Sequence, residues 1–243
     1  MESKLLYTDY SLVVTEDGSH SIRFSAVDEG YHSMHGAVKE AIHVYLQPNF
    51  VLQAEHNDEL YVLEMGFGTG LNALLTYMYA QVMGCKVHYT TIEAYPVPSD
   101  VYTQLNYAAS CVNEMKMLFS SVDFHNIDLV FQQLHTSPWG SETIISDHFV
   151  LLKYHSTLQA ASLPADTYNV VYYDAFAPQF QPELWTAEVF ERIYNAMPSN
   201  SILTTYCCKG DVKRALKAAG FVIEKLPGPK GKREMLRAVP HKD

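Results

Sequence analysis

No apolar run in this 243-residue chain approaches the roughly 20 residues that a membrane-spanning helix needs, so a membrane protein is not expected. The opening stretch, MESKLLYTDYSL, also lacks the long apolar core of a signal peptide, which gives the expectation of a cytoplasmic protein. Cysteine is scarce: Cys85, Cys111, Cys207 and Cys208 have no C-x-x-C spacing, which argues against a zinc site or a disulfide framework. Repeats, low-complexity tracts and Pro/Gly/Ser-rich linkers are missing as well. Positive charge is in short supply, with 17 lysines and arginines against 27 acids and a net charge of −10. Taken whole, that balance argues against a polyanionic partner.

The distribution of charge gives a different answer. From Ser201 onward ten basic residues face four acids, whereas the first 200 residues hold seven basic residues and 23 acids. An acidic body with a basic C-terminal segment is able to grip a polyanion on one side. A solvated, lysine-rich surface is the plainer reading of the same segment.

What is present is an α/β pattern of single-domain size. Residues 1–50 read as a small β-rich elaboration, with Asp17-Gly18 marking a hairpin turn and YHSMHGAVKEAIHVYL running from a loop into a helix. Residues 51–243 read as the main domain. Its elements alternate: strand 60–65, helix 71–83, strand 86–93 and a helix near 99–110, which predicts a doubly wound parallel sheet. The stretch 121–146 is irregular and is expected to be a loop or insertion. HFVLLKYH, YNVVYYDAF and SILTTYCC read as buried strands. DVKRALKAAG reads as a helix with Asp211 as N-cap, and FVIEKL and REMLRAV form a hairpin around PGPKGK, so the last strand should run antiparallel.

The stretch VLEMGFGTGLN places three glycines in five positions between a strand and a helix. A phosphate-binding loop would need Gly-Lys-Ser/Thr at its end, but Gly70 is followed by Leu71 and Asn72. The dinucleotide fingerprint fails too, because position 71 is leucine and Glu64 would repel a pyrophosphate. S-adenosylmethionine carries cationic sulfonium and ammonium groups and no phosphate, so an acid beside the turn becomes an asset. The pattern E-x-G-x-G-x-G resembles the first motif of class I methyltransferases. Glu93, ending the next strand, stands where a carboxylate accepts hydrogen bonds from two ribose hydroxyls. Many such enzymes have an acid at the end of the third strand; this chain offers His155 there. A third acid, Asp174 in YYDAFAP, leaves a buried strand at its carboxyl end, where open α/β sheets bind ligands.

Several stretches together resemble one family: DGSH, YHSMHGAVKEAIHVYL, EMGFGTGLN, YYDAFAP before PELW, and GPKGKREML. They are similar to the MnmD enzymes and to the methyltransferase half of bifunctional MnmC, which make 5-methylaminomethyl-uridine at the tRNA wobble position. Where that family often has D-G-F-A-P, this chain has Ala175 in place of the glycine. The resemblance implies a class I S-adenosylmethionine-dependent methyltransferase fold and methyl transfer to the amine of a 5-aminomethyl-(2-thio)uridine in a tRNA anticodon stem-loop. The implied cofactor residues are Glu64, Gly66, Gly68, Thr69, Gly70, Asn72, Glu93 and Asp174. Asp174 would be the catalytic carboxylate, acting mainly by its charge, and as a proton acceptor only if burial raises its pKa. Glu40, with Ser33, would stand at the mouth. Phe176 and Pro178 would wall the extruded base, and Lys230, Lys232 and Arg233 would contact the substrate. No metal is expected at His32, His35 and His43, and no flavin, because 243 residues leave no space for the oxidase domain of bifunctional relatives.

Overall fold

A computed structural model describes residues 10–24, 29–120 and 122–242. Residues 1–9 of the expected N-terminal elaboration and Ser121 of the irregular stretch lie outside the described residues. Eight strands form one sheet: β4 (Glu59–Met65), β5 (Lys86–Glu93), β6 (Glu142–Ser146), β7 (Phe149–His155), β8 (Val170–Tyr173), β9 (Ile202–Thr205), β10 (Phe221–Pro227) and β11 (Glu234–Pro240). Their order is β10-β11-β9-β8-β4-β5-β7-β6. The five central strands are parallel, and β11 inserts antiparallel between β9 and β10, as the hairpin pattern predicts. Side chains alternate strictly between the two faces: Val62, Val170 and Tyr172 enter one core, and Leu63, Val171 and Tyr173 enter the other.

The first core is covered by helices α4 (Leu71–Met83), α6 (Tyr107–Leu118) and α7 (Ile127–Thr136), and the second by α8 (Ala187–Ala196) and α9 (Gly210–Ala218). A short turn of helix, α5 (Ser99–Tyr102), precedes α6. The stretch expected to be irregular therefore contains helix α7 and edge strand β6. Ile127, Val130, Phe131 and Leu134 recur at helical spacing and are buried, a pattern hidden in the sequence by its polar flanks. Helix α9 begins after Lys209, and Asp211 lies in its first turn paired with Arg214, so Asp211 is not the N-cap.

The N-terminal residues form a three-stranded sheet, β1 (Tyr10–Val14), β2 (His20–Phe24) and β3 (Glu29–Gly30), with the expected turn at Asp17-Gly18. A continuous helix follows: α1 (Ala37–Ala41), a wider-pitched π segment α2 (Ile42–Val51) that accommodates Pro48, and α3 (Leu52–Ala54). The division expected between residues 50 and 51 falls inside this helix. Buried Asn49 ties it to the sheet, its Nδ2 donating to the carbonyls of Val171 and Ile202 at 3.0 Å each. Ile22 and Phe24 share one core with Leu74 and Phe131, so the small sheet packs on the main domain as part of its first layer.

Asp17 joins these pieces. Its carboxylate accepts the backbone N–H of Lys39 at 3.0 Å in the first turn of α1, and the N–H of Ser19 at 3.0 Å and hydroxyl of Thr15 at 2.8 Å in its own turn. Burial pushes its pKa up, but these bonds outweigh burial and hold it below the ordinary aspartate value. Asp17→Ala should lower unfolding free energy by about 1–3 kcal/mol at pH 7. A depressed carboxylate contributes above its unfolded pKa, so the difference between variant and parent should fade as pH falls below about 4. Urea melts at the two pH values check this, and an equal difference at both would rule out the ionised cap.

Candidate active site

The site forms where chain direction across the sheet reverses, between β4 and β8, which lie side by side while their following segments go opposite ways. From β4 the chain enters the glycine loop. Gly66, at φ +88°, donates its N–H to Ile92 O, and a Cβ there would lie 3.3 Å from the backbone oxygen of Asp174. Only glycine lets the two loops approach so closely without strain. Thr69 is buried at the start of α4, and Asn72 sits in its first turn.

Asp174 leaves β8 as the centre of the site. Its Oδ1 accepts the Tyr45 hydroxyl at 2.6 Å and its Oδ2 accepts Asn72 Nδ2 at 2.9 Å. Burial raises its pKa to about 7, against the two donors and Lys232, which favour the ionised form; Glu40 adds to the rise. Tyr206 donates its hydroxyl to Ala175 O at 2.9 Å, and Trp185 Nε1 donates to Phe176 O at 2.8 Å, so the DAFAP turn is held by its backbone.

Around this carboxylate lie other residues expected from the sequence. Glu40 is nearly buried: its Oε2 accepts the N–H of Ser33 at 2.7 Å and its Oε1 accepts Lys232 Nζ at 2.8 Å. The Lys232 ammonium also lies 4.3 Å from the centre of the Tyr206 ring. Phe176 packs edge-on against Tyr31 at 5.1 Å and Phe24 at 6.3 Å, and Tyr31 lies against Gly68 of the glycine loop. Pro178 is half-buried beyond it. Lys230 pairs with Glu16 at 2.5 Å, and Arg233 is exposed and enters no ion pair among the described residues. Glu16, Lys230, Ser33, Glu40, His35 and His43 border a cavity of about 250 Å³.

Glu93 ends β5 facing the glycine loop, accepting the N–H of Gly68 at 2.9 Å and of Tyr95 at 2.7 Å, while burial raises its pKa. Glu64 is fully buried and burial raises its pKa well above the usual range. Neither of its oxygens meets a well-formed hydrogen bond, and the hydroxyls of neighbouring Tyr89 and Thr91 are also unpartnered. The Thr91, Tyr89 and Asn72 side chains beside it favour its ionised form but do not offset burial. His155 ends β7 exposed, its ring 5.7 Å from Trp139. His32 is half-buried with its Nδ1 3.1 Å from Ser21 Oγ, and desolvation lowers its pKa to about 4; among the described residues no cluster of histidine, cysteine and acids could hold a metal. No helix among them is long and apolar enough to cross a membrane.

The strand order, five parallel strands with β11 antiparallel beside them, is that of the S-adenosylmethionine-dependent methyltransferase fold. A family model described as S-adenosyl-L-methionine-dependent methyltransferase matches residues 148–241. The crystal structure of MnmC2 from Aquifex aeolicus superposes with a TM-score of 0.71 over 97% of this chain and 73% of that one, at 19% identity, which shows the fold. The chain is also a relative of the curated bifunctional proteins named tRNA 5-methylaminomethyl-2-thiouridine biosynthesis bifunctional protein MnmC. It is 28% identical to that of Psychrobacter cryohalolentis over 93% of its length, and 30% identical to that of Pseudomonas fluorescens Pf-5 over 88%. It spans about a third of the length of these relatives, 35% and 32% respectively. The family resemblance read from the sequence is borne out. S-adenosylmethionine is the cofactor of this class, and the carboxylate of Glu93, fixed by two backbone N–H groups at its strand end, has the chemistry to accept ribose hydroxyls.

Tyr45, Tyr31 and Tyr206 escaped the sequence reading. Each is an aromatic residue at helical or strand spacing, which marks core; only the fold brings them to Asp174 and the loop. The Asp174 pKa carries a testable sign. Unfolded aspartate ionises near 3.9 and Asp174 near 7, so the unfolded chain holds fewer protons between these values and stability falls as pH rises through the window. Asp174→Asn should remove about 1–3 kcal/mol of that fall between pH 4.5 and pH 8, read from urea midpoints. Parallel profiles for parent and variant would show that the carboxyl is not perturbed.

Proposed function

We propose that this chain transfers a methyl group from S-adenosylmethionine to the primary amine of a 5-aminomethyl-(2-thio)uridine at the wobble position of tRNA, in the cytoplasm. The observation that carries it is the Asp174 carboxylate, held between Tyr45 and Asn72 with Glu40 nearby, an anionic mouth suited to an alkyl ammonium. Bound S-adenosylmethionine supplies an electrophilic methyl group. Glu93 would hold its ribose and Glu64 its cationic end, and the backbone of Gly66 to Gly70 would follow its length.

Asp174 takes a double role in this reading. An alkyl ammonium of pKa roughly 10 must lose a proton before its nitrogen attacks, and a carboxylate at about 7 accepts it far better than an ordinary aspartate. Once that proton has passed from Asp174 to solvent, the carboxylate, ionised again, stabilises the positive charge that builds on nitrogen. Tyr45 and Asn72 fix its two oxygens, so an amine bound to Asp174 would be held in one orientation. Phe176, Tyr31 and Pro178 supply apolar surface for an extruded base.

The tRNA backbone would lie on the C-terminal side. Lys225, Arg237 and Arg214 are answered by acids of the same segment, and Lys230, Lys232 and Lys242 by Glu16, Glu40 and Asp166. Lys209, Lys213, Lys217 and Arg233 enter no ion pair with an acid among the described residues; of these, Arg233 and Lys213, both near Glu234, would meet phosphate, and Lys230 joins them if phosphate displaces exposed Glu16. Lys232, held by Glu40 and Tyr206, serves the mouth.

Asp174→Asn should lower kcat by about two to three orders of magnitude while leaving cofactor affinity within a few-fold, and should remove the rise of kcat/KM centred near pH 7. Glu93→Ala should weaken S-adenosylmethionine binding by about 1.5–3 kcal/mol in calorimetry. The deciding assay is methyl transfer to tRNA from a strain lacking the modification, followed by nucleoside mass spectrometry. Transfer to aminomethyl-uridine, with carboxymethylaminomethyl-uridine untouched, is expected; no methylated nucleoside from a cofactor-binding protein would overturn the substrate. Replacing Arg233 and Lys230 by methionine should raise KM for tRNA and flatten its log–log salt dependence by roughly one unit per lost contact. An unchanged salt titration would move the RNA to another face.

A further inference from the structure

Lys153 on β7 is fully buried, far from the surface that lysines ordinarily keep. Its Nζ donates to the carbonyls of Leu134 at 2.8 Å and His135 at 2.7 Å, and lies 4.6 Å from the centre of the Trp139 ring and 5.2 Å from that of Phe67. No carboxylate stands within ion-pair distance of it among the described residues. The groups that face it are His135 of α7, Phe67 of the glycine loop, Trp139 and, across the ladder on β5, Thr91. An apolar side chain of the same length would fill the space without the cost of burying a charge. The ammonium therefore has a task.

The task follows from what its partners touch. Leu134 and His135 belong to the last turn of α7, where carbonyls lack partners within the helix and a cation is favoured. His135 in turn donates its Nε2–H to Thr69 O at 3.1 Å, stacks on Tyr102 at 3.9 Å and meets Phe67 edge-on at 5.1 Å. A Cβ on Gly70 would lie 2.9 Å from that same nitrogen, so the imidazole fits against bare backbone. The Lys153 ammonium thus reaches the glycine loop twice, once through Phe67 and once through the end of α7.

We propose that Lys153 is a positioning residue for the cofactor, whose charge holds Phe67, Thr69 and Gly70 in the shape that receives S-adenosylmethionine. The inference rests on the cofactor reading above. Burial lowers the Lys153 pKa to about 8, so the brace loses its charge in mildly alkaline solution.

The test uses the full chain with Lys153→Met, which keeps the stem and removes the ammonium, and Lys153→Arg, which is charged at every pH used. Calorimetry with S-adenosylmethionine at pH 7 should give binding at least about tenfold weaker for the methionine variant, with kcat at saturating cofactor within about threefold of the parent. A second titration uses 5′-methylthioadenosine, a nucleoside thioether with no cationic group of its own to titrate between pH 7 and pH 9.5. The parent should lose about fivefold or more in affinity across that range, and the arginine variant should stay flat. Parental affinity in a folded methionine variant, or the same alkaline loss in the arginine variant, overturns the proposal. If the methionine variant does not fold, the arginine profile decides. A parent that binds neither ligand would instead sink the cofactor reading, an outcome distinct from a parent that binds and variants that do not differ.

Discussion

The carboxylate of Asp174, held by one hydroxyl and one amide, is the constraint on which the rest of the site depends. Its two donors come from different parts of the chain: Tyr45 from the π segment of the N-terminal helix and Asn72 from the first turn of α4. Neither would reach it unless Gly66 let the β4 and β8 loops come together. The donors lower the pKa of the acid and burial raises it further than they lower it, leaving a group that titrates near neutrality. A carboxylate exposed to water would be a weaker base, and one with no donors would stay protonated. The N-terminal segment is therefore part of the site's electrostatics, and the helix that carries Tyr45 is tied to the main sheet through Asn49 and to the β1–β2 turn through Asp17.

The same reasoning changes the meaning of the charge imbalance along the chain. The surplus of lysine and arginine after Ser201 reads as a polyanion grip, but folding spends much of it on acids of the body and of the segment itself. Exposed pairs of this kind are worth little in stability and are open to competition from phosphate. Lys232 differs. Its partner Glu40 is nearly buried and its ammonium rests on Tyr206, so its position is set and its field acts on Asp174. Net charge in sequence is a poor guide to surface potential when opposite charges come from segments about 200 residues apart.

Much of the fold was legible because hydrophobic periodicity and glycine placement are local. Strands 60–65 and 86–93, helix 71–83 and the C-terminal hairpin stand as read, and Glu64, Glu93 and Asp174 lie at the strand ends foreseen for them. The missed elements, α7 and β6, are short and flanked by polar residues, so their buried faces show only when the partner surface is known. The unread site residues are of the same kind. Tyr45 and Lys153 lie in stretches that read as a helix and a buried strand, and their roles come from long-range partners, Asp174 in one case and the end of α7 in the other.

A loop made of three glycines in five positions has few side chains of its own with which to hold a shape, and its unfolded backbone has more freedom than most. Its order must come from neighbours. Asp174's backbone stands behind Gly66, the Tyr31 ring covers Gly68, and His135 closes on Gly70, while Glu93 takes the Gly68 N–H from the next strand. These contacts come from the N-terminal sheet, α7, β5 and β8, so the loop reports on four separate elements at once. A ligand that meets the loop already ordered avoids the entropy of fixing it, and that saving appears as affinity. The glycines give the loop its turn, whereas residues from other elements, such as Tyr31 and His135, hold it in shape before a ligand arrives.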